Sequence, residues 1–453
     1  MVVKVCDAIC GAGKTQSCIS MMNEQTDKKF IFVTPYLTEV ERIKRDCAQR
    51  HFISPERSMS SGFSKLQNLN ELLINGENIA TTHALFSYYT DETKQLIKEQ
   101  GYTLVLDEVI NLFQPVELNN QDMDILLKSN TLVATESEYV WDDEDYIDGA
   151  FMDIMLKSRS NNLVRYRDEM YFWSIPPDVF QCFDDIYILT YMFQYQMQKY
   201  FFDVYGIDYE LIGTKKDERG FHFCKFEEMD RRRDLKDKIH ILEHPKLNDI
   251  GEEQGSLSFT WYNKAGSERD KPKLTILKNN LYNLFRNIYG CSADQNMWST
   301  FKSYKSYLRG KGYSSNFITY NKRATNDYSD KKYLAYLINV YMQTWAKNYL
   351  IESGAKDVSE NMYAISTLIQ WIFRSAIRKG EEVWLYLPSK RMRTLFTKWL
   401  ENLAQGKDLE LIQYNRNTPK KSSIKTTPNQ LKDKLLQAKL KKGDLKRCAK
   451  DAV

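Results

Sequence analysis

Short apolar runs punctuate the first two hundred positions, at residues 2–6, 30–34, 79–82, 103–106, 131–134 and 187–190. Each is β-branched or aromatic and nearly continuous rather than alternating, the pattern of strands covered on both faces of a parallel sheet. Between them the period lengthens to that of amphipathic helices, as at 37–50 and 93–100. This alternation predicts a doubly wound α/β layer. Beyond Phe193 the pattern changes: residues 211–226 read as a hairpin, and the breaker-rich stretch 245–256 as a linker. A second α/β set follows, with strands expected at 258–262, 317–320 and 383–387 and helices at 331–350 and 358–377. No repeat of fixed period is present.

With 453 residues the chain exceeds one ordinary core. We expect three parts: residues 1–195, carrying an insertion at about 138–178; residues 196–403, including the hairpin and linker; and a weakly packed tail, 404–453. Hydrophobic residues at 42% and aromatics at 13% exclude a disordered chain. The eight cysteines form no C-x-x-C pair, so neither a zinc site nor a disulfide framework is indicated, and a reducing compartment is expected. Lys4 and Asp7 stand where a signal peptide needs apolar residues, and no apolar run reaches membrane-spanning length, so the expectation is a cytoplasmic protein that does not span a membrane. The net charge of +4 is unevenly divided. Residues 404–453 hold 13 Lys and Arg against 5 Asp and Glu, a tail of +8 on a body of −4.

The first apolar run leads straight into Cys10-Gly11-Ala12-Gly13-Lys14-Thr15-Gln16, a glycine loop opening a helix. Backbone N–H groups of such a loop and the helix N-terminus face an anion, and glycines let phosphates approach. Lys14 would neutralise the β/γ phosphates of a nucleotide, and the Thr15 hydroxyl would ligate Mg²⁺. The full pattern asks for glycine where Ala8 stands. Further on, the strand at 102–106 delivers Asp107 and Glu108 at its carboxyl end. Asp107 is suited to a hard cation and Glu108 to activating water. Gln370, Arg374 and Arg378 are spaced four apart, which places them near one helical face from which an arginine could reach a γ-phosphate across a cleft.

In this order the motifs resemble superfamily two DNA helicases, particularly phage-encoded members. They are CGAGKT, TPYLTEVERI from Thr34, TTHALF from Thr81, LVLDEV, ILTYMF from Ile188, NKRATNDY from Asn321 and QWIFRSAIR, spread over about residues 4–400. The resemblance implies two RecA-like parallel-sheet domains with an ATP cleft between them, followed by the basic tail. Position by position, it implies that Cys10 to Gln16 bind ATP, that Thr15 and Asp107 hold Mg²⁺, and that Lys14 and Glu108 are catalytic. It further implies that Gln370, Arg374 and Arg378 sense the γ-phosphate, that Thr190 couples hydrolysis to movement, and that Thr34, Pro35, Thr81 and Thr82 touch nucleic-acid phosphates. Here the two arginines stand four apart rather than three, and Phe373 replaces the expected glycine, which leaves the choice of arginine finger open. No adenine-reading glutamine precedes the loop.

The five histidines lack metal spacing, and His83 reads as a loop or core hydrogen-bonder. The acidic stretch 139–148 reads as a solvated insertion, and the aromatic run 191–206 as core. The expected function is ATP-driven movement on, or unwinding of, single-stranded or forked DNA, with RNA as the other substrate class and partners in a replication or recombination complex. Two alternatives are a terminase-type packaging ATPase and a DNA-binding protein using ATP only as a switch. The first needs clustered nuclease carboxylates, of which residues after 250 show no obvious set; intact Lys14, Asp107 and Glu108 speak against the second.

Overall fold

The computed structural model describes residues 2–57, 64–116, 118–135, 138–146, 149–159, 163–167, 170–321 and 328–414. Its larger sheet contains β1 (Val3–Asp7), β2 (Lys29–Thr34), β3 (Ile79–Thr82), β4 (Tyr102–Asp107), β5 (Asp185–Thr190), β6 (Tyr209–Asp217) and β7 (Gly220–Lys225). They lie in the order β7-β6-β1-β5-β4-β2-β3, all parallel except the edge strand β7. The register sets Val5 opposite Ile188 on one side and Leu211 on the other. Val3, Val5, Phe30 to Val33, Leu104 to Leu106, Ile186 and Ile188 are all fully buried, which is why these strands are apolar without alternation. Helix α1 (Lys14–Glu24) follows β1 and α2 (Leu37–Asp46) follows β2.

Between β4 and β5 the strands Phe113–Pro115 and Met170–Ser174 pair antiparallel, and the chain between them encloses a separate small core around Met123, Leu126, Trp141 and Met155. Its Asp142, Glu144 and Asp145 are exposed. The second sheet holds β8 (Ile239–Ile241), β9 (Asn296–Ser299), β10 (Tyr333–Tyr336) and β11 (Val383–Tyr386), all parallel, in the order β8-β11-β10-β9. The same half of the chain holds α3 (Phe259–Ser267), α4 (Thr344–Glu352), α5 (Glu360–Ile372) and α6 (Lys390–Ala404). The architecture is therefore two α/β lobes on parallel sheets, as the period alternation implies.

Several local expectations are corrected. The strand at 131–134 forms, as Leu132–Ala134, but pairs with Tyr139–Trp141 inside the insertion, because only Leu132 of its three residues is buried. The insertion itself begins at Phe113, well before 138. The hairpin, assigned above to the second domain, extends the first sheet: β6 pairs with β1, and Ser17 of α1 hydrogen-bonds Thr214. Residues 258–262 are helical, since the Ser258 hydroxyl accepts from Trp261 N–H and caps α3. Around Phe317 there is only an isolated bridge to Trp298. Residues 331–350 open as the strand β10, because Leu334 to Ile338 are buried without interruption between two neighbours; α4 begins only at Thr344. The Lys-rich stretch 430–442, the tail from 415 and residues 322–327 lie outside the described residues.

The lobes share apolar surface: Met342 and Leu350 belong to the same cluster as Val5, Phe113 and Phe201, and Tyr349 packs edge-on to Phe113 and Phe172. After α6 the chain returns to the first lobe. The Asp408 carboxylate, 2% exposed, accepts from Tyr191 Oη at 2.7 Å and pairs with Arg231 at 2.9 Å, and Tyr195 Oη donates to the Leu409 carbonyl at 2.6 Å. Asp408→Ala strands a buried hydroxyl and a guanidinium, so it should cost about 1–3 kcal/mol. The urea-unfolding midpoint measures this; an unchanged midpoint would show that the return segment contributes nothing.

Candidate functional site

The glycine loop emerges at the carboxyl end of β1, with Gly11 at φ 84° and Gly13 at φ 93°, left-handed backbone that glycine adopts without Cβ strain. Gly13 caps α1 without a side chain, and no acidic residue stands in the first turn. The leading N–H groups of an eleven-residue helix thus keep their capacity for an anion. Lys14 Nζ folds back onto the Ala8 and Ile9 carbonyls at 2.7 and 3.3 Å, filling the loop's centre with positive charge.

Asp107 ends β4, two strands away from β1, and β5 lies between them. Thr15 Oγ1 donates to Asp107 Oδ1 at 3.3 Å, and Thr34 Oγ1 to Asp107 Oδ2 at 3.4 Å. His83 Nε2 reaches the Asp107 carbonyl at 3.2 Å, which fits its reading as a hydrogen-bonder. Glu108 holds φ at 70°, a backbone that costs a side-chain-bearing residue about 1–3 kcal/mol and that gathers at functional sites. Its Oε2 is buried without a hydrogen-bond partner, as is Nε2 of Gln370.

One cavity of about 270 Å³ is lined by Cys10, Gly11, Gly13, Lys14, Thr15 and Gln16, by Asp107 and Glu108, and by Gln370, Phe373, Arg374 and Arg378 from the second lobe. The sequence holds Thr15 and Asp107 apart by 92 positions and the second-lobe groups much farther off; the two sheets gather them. Gln370 stands in α5, but that helix ends at Ile372, so Arg374 follows its C-terminus and Arg378 sits in the 3₁₀ turn Ala376–Lys379. The expected single helical face is thus corrected to a helix end and a turn.

Other expected residues fall elsewhere. Ala12 does not line the cavity and packs against the core beside α1. Thr34 is fully buried on Asp107 and Thr81 is 3% exposed, so neither presents its side chain to a large ligand in this conformation, whereas Thr82 is half-buried. Thr190 is fully buried and accepts from Gln196 Nε2 at 2.9 Å. Pro35 lines a second cavity of about 400 Å³ together with Tyr36, His83, Asn111, Tyr320, Asn321 and Gln343; Gln370 and Arg374 border both cavities.

Three lining residues escaped sequence reasoning. Glu39 and Arg42 of α2 form a 2.7 Å ion pair at the cavity wall, and Phe221 of β7 covers Gly13. The i,i+3 spacing of the pair was legible in the sequence; its position was not.

Burial and the neighbouring carboxylates of Glu108 and Glu39 push Asp107 up to about 7, against the opposing pull of Lys14 and Arg42. Among the described residues no three His, Cys, Asp or Glu side chains converge as a metal cluster. A hard cation held between Thr15 and Asp107 would relieve the crowded charge and take its other ligands from phosphate and water. The donor set therefore fits magnesium.

Comparison with known proteins places the chain. It is 39% identical over 413 residues to the SPbeta prophage-derived protein YonV of Bacillus subtilis (strain 168), covering 88% of this chain and 99% of YonV. The chain belongs to the YonV family. Residues 233–400 match the family model of the YonV C-terminal Rossmann-like domain, a span that contains the whole second sheet and both arginines. The solved structure of S. tokodaii Xpd4 overlaps 88% of this chain and 94% of its own, with 11% identity and a TM-score of 0.45. No helix among the described residues is long and apolar enough to cross a membrane.

Because Asp107 titrates higher when folded than the ordinary value near 4, the stability it contributes is complete below about pH 4 and is lost as pH rises through about 7. Asp107→Asn cannot ionise. Without nucleotide or divalent cation, its thermal midpoint should gain on wild type between pH 5 and pH 8; a constant difference across that window would refute the buried charge.

Proposed function

We propose that the chain is an ATP-dependent nucleic-acid translocase or helicase. The observation that carries this reading is the single cavity in which Lys14 and Thr15, Asp107 and Glu108, and Gln370, Arg374 and Arg378 meet from two lobes. In the proposed reaction, backbone N–H groups at the start of α1 and Lys14 hold the phosphates, and Arg374 or Arg378 neutralises charge on the departing γ-phosphoryl group. Glu108 takes the proton of the attacking water as the new P–O bond forms and the bond to the β-phosphate oxygen breaks. Magnesium, when bound, would be held by Thr15 and Asp107 and would supply charge neutralisation for the triphosphate. The left-handed backbone at Glu108 points to a carboxylate positioned at a cost in stability.

Gln370 and Arg374 border the second cavity as well, so contacts in one bear on the other. That second space, with its rings and amides Tyr320, Tyr341, Asn111, Asn321 and Gln343, suits stacking and hydrogen bonding to a single strand. A replication, recombination or repair role fits this reading, with the basic residues 415–453 adding sequence-independent phosphate contacts.

Steady-state hydrolysis of ATP, with and without single-stranded DNA or RNA, tests the proposal. Lys14→Ala and Glu108→Gln should both abolish turnover, Glu108→Gln with ATP binding intact. Alanine at the true finger should lower kcat by about 10³-fold or more, which separates Arg374 from Arg378. Hydrolysis indifferent to every nucleic acid would rule out a motor. Removing residues 415–453 should weaken DNA binding and flatten its salt dependence; an unchanged slope would exclude the tail as a phosphate contact.

A further inference from the structure

We infer that the tip of the β6–β7 hairpin is a nucleobase platform, with Phe221 as the ring on which the base of a bound nucleoside triphosphate stacks. The inference rests on the reading of the first cavity as a nucleotide site and adds what that reading leaves open, namely where the base goes.

Sheet order supplies the direction. The Asp107 end of the cavity lies on one side of β1, beyond β5, and the hairpin lies on the other. The pairing of β6 with β1 ends at Cys6 and Ile212, yet β6 continues to Asp217, and Phe221 returns opposite Lys216. The hairpin tip therefore projects past the carboxyl end of the sheet, level with the glycine loop. Phosphates lying between Lys14 and the Asp107 end leave the nucleoside over β6 and β7. At about 270 Å³ the cavity is smaller than the ~300–1,000 Å³ usual for small-molecule sites, so it suits the triphosphate with the base at its rim.

Packing does not account for the ring. Phe223, two residues on and on the same face of β7, does that work: it stacks on Tyr187 at 5.6 Å and joins the core against α1. Phe221 is half-buried and lies outside the two apolar clusters built on the first sheet. Its ring lies so close to Gly13 that a Cβ there would stand 2.2 Å from it, while Lys216 Nζ sits 5.4 Å from its centroid. A ring touching the glycine loop, with a cation over it, brings an aromatic surface and positive charge to an anionic nucleotide.

Isothermal titration of the full chain with ATP and with inorganic tripolyphosphate, both with Mg²⁺, tests this. Phe221→Ala should weaken ATP by about 5-fold or more, since stacking on an aromatic contributes about 1–3 kcal/mol per base. It should leave tripolyphosphate within about twofold, and Phe221→Trp should recover ATP binding. Lys14→Ala should weaken both ligands. Equal loss of both in Phe221→Ala would reassign the ring to holding the loop, and unchanged ATP affinity would remove the platform while leaving the phosphate site standing. Binding of neither ligand by the wild-type chain would overturn the phosphate site, and this inference with it.

Discussion

The hydrogen bond from Thr15 to Asp107 joins positions 92 apart in sequence, and it can form only because the strands that deliver them run the same way. Parallel strands open all their carboxyl ends onto one edge. The glycine loop, Thr34, Asp107, Glu108 and Thr190 therefore arrive at one level. Three carboxylates, Asp107, Glu108 and Glu39, line the cavity there together with Lys14, Arg42, Arg374 and Arg378. Of these, Lys14, Glu39, Asp107 and Arg374 are buried, and buried charge is costly unless it is paired. The rise of Asp107 to about 7 expresses the imbalance that a cation and an anion together would settle.

The same edge is tied internally. The Asp7 carboxylate, at the end of β1, accepts from the N–H groups of Met192 and Phe193 at 2.7 and 3.0 Å, fixing the turn after Thr190; burial raises it to about 6 even so. Gln196 bonds both Thr190 and the Tyr191 carbonyl. Tyr191 in turn holds Asp408, beyond the last helix of the second lobe. A continuous chain of contacts thus runs from the strand bearing the glycine loop to the segment that returns from the second sheet. Any change in lobe spacing must act on these bonds and on Gln370 and Arg374, which border both cavities.

Legibility in the sequence followed burial and locality. The strands buried on both faces, β1 through β5, were readable because nothing but continuous apolar character satisfies their position. The insertion was less readable because its short strands, such as Leu132–Ala134, are wet on one side. β10 reads as helix in the sequence because Tyr333–Tyr336 is only four residues long and its apolar run continues into α4 without a breaker. Thr34 was expected at the nucleic acid and is instead a buried partner of Asp107, because a hydroxyl at a strand end can serve either neighbour.

By itself, the amino-acid order determined the local chemistry. It set a glycine loop that leaves a helix N-terminus uncapped, an acidic couplet closing an apolar strand, and a glutamine with two arginines spaced four apart, because such features depend on neighbours within a few residues. Only tertiary structure decided which of these meet. Strand order places the Asp107 couplet two strands from the loop, the hairpin turns out to edge the first sheet and carry Phe221 over Gly13, and a helix that stops at Ile372 aims Arg374 and Arg378 from a turn. These outcomes depend on pairing and packing between segments about a hundred or more residues apart, which no local pattern encodes.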